Sequence, residues 1–126
     1  MSHRRGNLRS MTGSVELQQD PGGPVVVISG DADLRSAVAV DEALQAAGAD
    51  HDRVIVDLAT ATLIDSRTIG VLIDWVEKLR ARGGDLPIVC PESDVLRLFR
   101  TIGLEGSFSF FPTREAVLAA DAGSSI

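Results

Sequence analysis

The chain has 126 residues, the size of one domain with one core. Hydrophobic residues make up 44% of it, too many for a disordered chain, and aromatics only 4%, which leaves core packing to Val, Leu, Ile and Ala. A formal charge of −6 argues against a nucleic-acid backbone or an acidic membrane surface as the main partner, because binding phosphate needs a surplus of Lys and Arg.

Residues 1–12 carry Arg4, Arg5 and Arg9 without apolar periodicity and are expected to form a flexible tail, three arginines being a short run for a nucleic-acid arm. The domain is expected over 13–121, with 122–126 as a second flexible tail. Val15–Gln19 reads as a strand, Asp20-Pro21-Gly22-Gly23 as a turn, and Pro24–Ile28 as a second strand ended by Gly30. Ser36–Ala47 places Val40, Ala43, Leu44 and Ala47 at helical spacing, with Gly48 as a stop. Arg53–Leu58 is a continuous apolar run with a charged residue near its end, as a strand buried on both faces would be, and Ala59–Ile64 is expected as a loop.

Ser66–Arg82 predicts the longest helix, with Ile69, Leu72, Ile73, Val76 and Leu79 recurring at three and four and Gly83-Gly84 behind them. Leu86–Cys90 predicts a strand, Ser93–Ile102 a helix with Val95, Leu98, Phe99 and Ile102 inward, and Ser107–Phe111 a last strand. Thr113 caps a final helix through Ala120. Strands alternating with amphipathic helices imply an α/β domain, with a mixed and mostly parallel sheet of about five strands and about four helices. The single cysteine, Cys90, closes an apolar run as a small buried hydrophobe. No apolar run approaches the roughly 18 to 20 residues of a membrane span, and the start lacks the pattern of a secretory signal, so a cytoplasmic protein is expected.

Working groups in α/β domains sit where strand ends feed helix starts, which singles out Gly30-Asp31-Ala32-Asp33, the strand end at Asp57, and Ile64-Asp65-Ser66-Arg67. Asp57 with Asp31 and Asp33 suggests the magnesium site of a phosphoacceptor receiver, but such a site needs a lysine near a strand end and the only lysine, Lys78, lies deep in a helix. Asp57 therefore reads as a polar strand terminus. Ser66 lacks the flanking glycines of a hydrolase elbow, having Ile64 and Thr68 there, and the only histidines, His3 and His51, offer neither a general base nor metal-ligand spacing. No catalytic residue, cofactor or metal is expected. Asp65 and Ser66 are both good helix caps, and a helix start also accepts a phosphate at its free N–H groups, so Ser66 is either part of a plain cap or a covalent switch. Trp75, at the edge of the apolar stripe, reads as core or groove packing.

From about Val15 to Ala120 the chain resembles the STAS domains, and among them the bacterial anti-sigma factor antagonists. The resemblance rests on Gly30-Asp31-Ala32-Asp33-Leu34, Val54-Ile55-Val56-Asp57-Leu58, Leu63-Ile64-Asp65-Ser66 and Ile69-Gly70-Val71-Leu72, then Arg82-Gly83-Gly84, Val89-Cys90-Pro91 and Phe99-Arg100-Thr101-Ile102-Gly103-Leu104. It implies phosphorylation of Ser66 by a serine-kinase anti-sigma factor, a serine phosphatase that reverses it, and partner switching that frees a sigma factor. It also implies a partner contact at Asp33, with Asp65, Ser66, Arg67 and Thr68 beside it. Arg67 and Thr68 depart from the small residue and glycine usual after the serine, and Thr68 is a second possible acceptor. The rival expectation is a STAS scaffold subunit of a transport or stress-sensing complex that is never phosphorylated.

Overall fold

A computed structural model describes residues 7–9 and 13–124. In chain order the elements are β1 (Asn7–Arg9), β2 (Gly13–Asp20), β3 (Gly23–Ala32), α1 (Leu34–Gly48), β4 (Ile55–Asp57), β5 (Ala61–Ile64), α2 (Ser66–Ala81), β6 (Ile88–Val89), α3 (Asp94–Thr101), β7 (Phe110–Phe111) and α4 (Arg114–Ser124). They form the α/β domain that the alternation of patterns implies. The strands make one mixed sheet in the order β1-β2-β3-β4-β6-β7, with β5 also beside β3. The hairpin β2–β3 and the pair β1–β2 are antiparallel, and every other pairing is parallel.

The alternation of side chains along β3 divides the core in two. Val26 and Ile28 face the layer of α1, α2 and α3, where they meet Val40, Leu44, Val56, Leu72, Leu79 and Phe99 in the main cluster. Val25 faces the opposite way, into a small cluster with Ile55, Val89 and Val117 of α4. Three of the few aromatic residues, Phe99, Phe108 and Phe110, meet edge to face with centroids 5.1 to 5.8 Å apart and hold α3 against the sheet edge. Cys90 is buried, and desolvation raises its thiol pKa.

Several expected boundaries shift, each for a physical reason. Gly30 does not end its strand. Its φ of +72° accommodates a bulge between Gly30 and Asp31, beyond which β3 continues to Ala32. That continuation outruns β4, and Ala61–Ile64, expected as loop, fills the vacated edge as β5 by pairing Gly30 with Ala61 and Ala32 with Ile64. α1 starts at Leu34, ahead of Ser36, because Asp33 caps it, and Gly48 lies inside its last turn. Ile102, expected inward, is 48% exposed because α3 ends at Thr101 and Gly103 turns the chain at φ +80°. At the ends, Asn7–Arg9 of the expected tail pairs with β2, whose outer edge offers unpaired backbone groups, and α4 runs on to Ser124. The rest of residues 1–12, Ile126 and the neighbouring Ser125 lie outside the described residues.

Candidate functional site

The bulge and β5 together build the site. With β3 and β5 parallel and in register at Ala32 and Ile64, the residues that follow, Asp33 and Asp65, leave the sheet side by side, and the Asp65 N–H donates to the Ala32 carbonyl at 3.1 Å. Each aspartate caps the helix after it. Asp33 Oδ1 accepts from the N–H groups of Arg35 at 3.0 Å and Ser36 at 3.2 Å and from the Ser36 hydroxyl at 3.3 Å. Asp65 Oδ1 accepts from the Thr68 N–H at 2.9 Å. Two helix starts, with their positive dipole ends, thus share one edge of the molecule.

The Ser36 N–H, joined by the Ser36 hydroxyl and by the N–H and charge of Arg35, holds the Asp33 carboxyl below its ordinary 3.8 against the effect of desolvation. Asp33 therefore stays anionic at any physiological pH, as a cap and as a fixed negative charge at the rim.

Of the expected site residues, Asp33, Asp65, Ser66 and Arg67 come together here. Ser66 and Arg67 are exposed in the first turn of α2, and the two aspartates are half-buried. Thr68 does not join them. It has no exposed surface, and its Oγ1 has no hydrogen-bond partner among the described residues. The third residue of a helix whose inner face begins at Thr68 and Ile69 has to point inward.

Apolar side chains stand beside the two caps: Leu34 at 53% exposure, Val38 at 57% and Leu63 at 55%. Behind them a groove of about 730 Å³ runs between α1 and α2, with Leu34 and Arg67 among the residues that line it. Trp75, 8% exposed, is tied to the groove by its Nε1, which donates to the lining residue Asp41 at 2.7 Å, and Lys78 Nζ stands 4.5 Å from its ring centroid. The groove had no signature in the sequence, since it arises from two helices brought together by strand pairing.

Asp57 has a separate role. It is 7% exposed on the α4 side of the sheet, where its carboxylate accepts from the Ala59 N–H at 2.8 Å and from Arg114 Nε at 2.7 Å. Arg114 also donates to Gln18 at 3.2 Å, so one guanidinium ties the start of α4 to β2 and β4. Asp31, the remaining member of the acidic trio, accepts from the Thr62 hydroxyl. No three His, Cys, Asp or Glu residues are grouped to hold a metal among the described residues. None of the described helices is long and apolar enough to cross a membrane.

A family model described as Mlab, STAS domain, matches residues 15–113. No curated protein matches the chain. Among solved structures, an anti-sigma factor antagonist from Mycobacterium paratuberculosis is 26% identical, with a TM-score of 0.77 over 90% of this chain and 97% of that one. The unphosphorylated form of the anti-sigma factor antagonist SpoIIAA shares the fold at 18% identity and a TM-score of 0.67, covering 86% of this chain and 96% of its own. The phosphorylated form of SpoIIAA from Bacillus does so at 16% identity and 0.65, covering 84% and 98%.

Proposed function

This chain belongs to the STAS domain family, and from that premise we propose that it is an anti-sigma factor antagonist that catalyses nothing itself and is switched by phosphorylation at Ser66. It captures a serine-kinase anti-sigma factor through the rim formed by Asp33 and the start of α2, and the sigma factor is thereby released. The kinase then transfers the terminal phosphoryl group of its nucleotide to Ser66. The Ser66 oxygen bonds to phosphorus, the bond to the departing diphosphate breaks, and the hydroxyl proton passes to a base on the kinase. A serine phosphatase restores the capturing form. All of this takes place in the cytoplasm, with neither DNA nor membrane as a direct partner.

The observation that carries this reading is the exposure of Ser66 in the first turn of a capped helix, on the rim where two helix starts meet and apolar side chains stand open. A phosphate there adds about −1.5 to −2 charges at a helix N-terminus, a position that tolerates negative charge, so the fold is kept. The same phosphate faces the nucleotide of the bound kinase. Two like charges about 4 Å apart at an interface repel by about 4 kcal/mol, close to a thousandfold in Kd.

A second reading, an unphosphorylated STAS subunit of a transport or stress-sensing assembly, draws support from the Mlab description of the family model and from Arg67 and Thr68. One experiment separates the two. The protein is incubated with ATP and a serine-kinase anti-sigma factor from the same genome, and its intact mass and fragments are measured. One added phosphate mapped to Ser66, absent from Ser66→Ala, and weaker kinase capture by Ser66→Asp are the expected results. No phosphate on the folded protein with any such kinase overturns the switch and favours the scaffold.

A further inference from the structure

We propose that the groove between α1 and α2 seats a basic, amphipathic helical segment of the captured kinase, and that Gly70 is kept free of a side chain so that this segment can approach the floor. The inference rests on the anti-sigma antagonist reading and adds the chemistry of the partner surface to it.

Gly70 is the first observation. It stands inside α2, in its second turn, where glycine is the least favourable residue after proline. Nothing in the protein requires it there: φ is not positive, and a Cβ built on Gly70 meets no atom within 4 Å. Gly48, by contrast, has Trp75 and Arg82 where its Cβ would lie. The open space over Gly70 is the groove itself, which Gly70 lines. A bare backbone on a groove floor allows the close approach of another backbone or a large side chain.

Charge is the second. The groove carries the carboxylates of Asp41, Glu42 and Asp74 against the single guanidinium of Arg67. Ala37, Val71 and Ile73 are among its apolar lining, and the two apolar residues that stand most open in it are Leu34 and Val38, both more than half exposed. An occupant that buries apolar residues against these two and meets three carboxylates has a leucine-rich face edged by Lys or Arg, which is the helix-in-groove mode of recognition. A second copy of this acidic chain is opposed by the same charges. Asp74 also lies clear of the switch. Asp74 is eight residues along α2 from Ser66, about 12 Å at 1.5 Å per residue and beyond the roughly 8 Å screening length of physiological salt. Phosphate on Ser66 and the charge of Asp74 therefore act separately, the first deciding whether the kinase is held and the second helping to decide which kinase it is.

The test measures kinase affinity for the parent, Gly70→Ala, Gly70→Leu and the double variant Glu42→Lys/Asp74→Lys. Gly70→Ala should raise the melting temperature by roughly 3–4 °C. Gly70→Leu should lower affinity roughly tenfold or more with the fold intact by circular dichroism. The double variant should bind about tenfold more weakly at low salt, with the deficit shrinking as salt rises. If the parent is captured and Gly70→Leu and the double variant are captured equally well, the groove proposal is overturned while the functional reading stands. If no kinase captures the parent, the functional reading fails, and the groove is judged with a synthetic leucine–lysine amphipathic helix. Trp75, the only tryptophan, is bonded to Asp41 of the groove and reports occupancy by its emission. A shift in the parent that is lost in Gly70→Leu supports the groove, and no shift overturns it.

Discussion

Replacing Arg114 by Met should cost about 2 kcal/mol of stability. The Asp57 side chain is 11% exposed and that of Arg114 27%, and their contact joins residues far apart in sequence at 2.7 Å. Methionine keeps the apolar bulk of the arginine stem but leaves the Asp57 carboxylate with only the Ala59 N–H. Breaking a fully buried pair costs about 3–5 kcal/mol, and a charge-assisted hydrogen bond contributes about 1.5–3 kcal/mol. The partial exposure of Arg114 places this pair at the lower end, about 2 kcal/mol, or roughly 8 °C in melting temperature for a chain of this length. Urea denaturation of the parent, Arg114→Met, Asp57→Asn and the double variant supplies the assay. Asparagine still accepts from Ala59 without a buried charge, so the double variant should be more stable than the summed single losses imply, by about 1 kcal/mol or more. Arg114→Met within about 0.5 kcal/mol of the parent, or strict additivity in the cycle, would refute the account of Asp57 as an anchor for α4.

Thr68→Val should stabilise the protein by about 1 kcal/mol, because it removes a buried hydroxyl without a partner and keeps the shape. A loss of that size in thermal melts would mean that the hydroxyl is bonded. Asp33 contributes through the depressed pKa of its carboxyl. Its share of stability is complete above the ordinary value of 3.8 and is lost as pH falls through the lower folded value. The difference in melting temperature between the parent and Asp33→Ala should therefore be constant near neutrality and shrink in acid below about pH 4, and a difference that grows in acid contradicts this.

Much of the fold was legible because its signals are local. The apolar spacing of α2, the caps Asp65, Ser93 and Thr113 and the glycine stops at 83 and 103 are each decided within a few residues. The placement of Ser66 at an exposed helix start follows from the same signals. What escaped is non-local. β5 has a buried-exposed-exposed-buried pattern that is not period two, and it exists because β3 outruns β4. Thr68 could not be placed inside until the inner face of α2 was fixed against the sheet. Arg114 and Asp57, or Trp75 and Asp41, become partners only through the topology, and no spacing in the sequence announces them.

The hydrogen bond from the Asp65 N–H to the Ala32 carbonyl is made by backbone atoms alone. The relative position of the two helix starts is therefore indifferent to which side chains stand at 66 and 67. Side chains at those positions can differ without moving the frame that presents them. Arg67, exposed in the first turn of α2, is a long side chain that this frame carries while the two helix starts stay side by side.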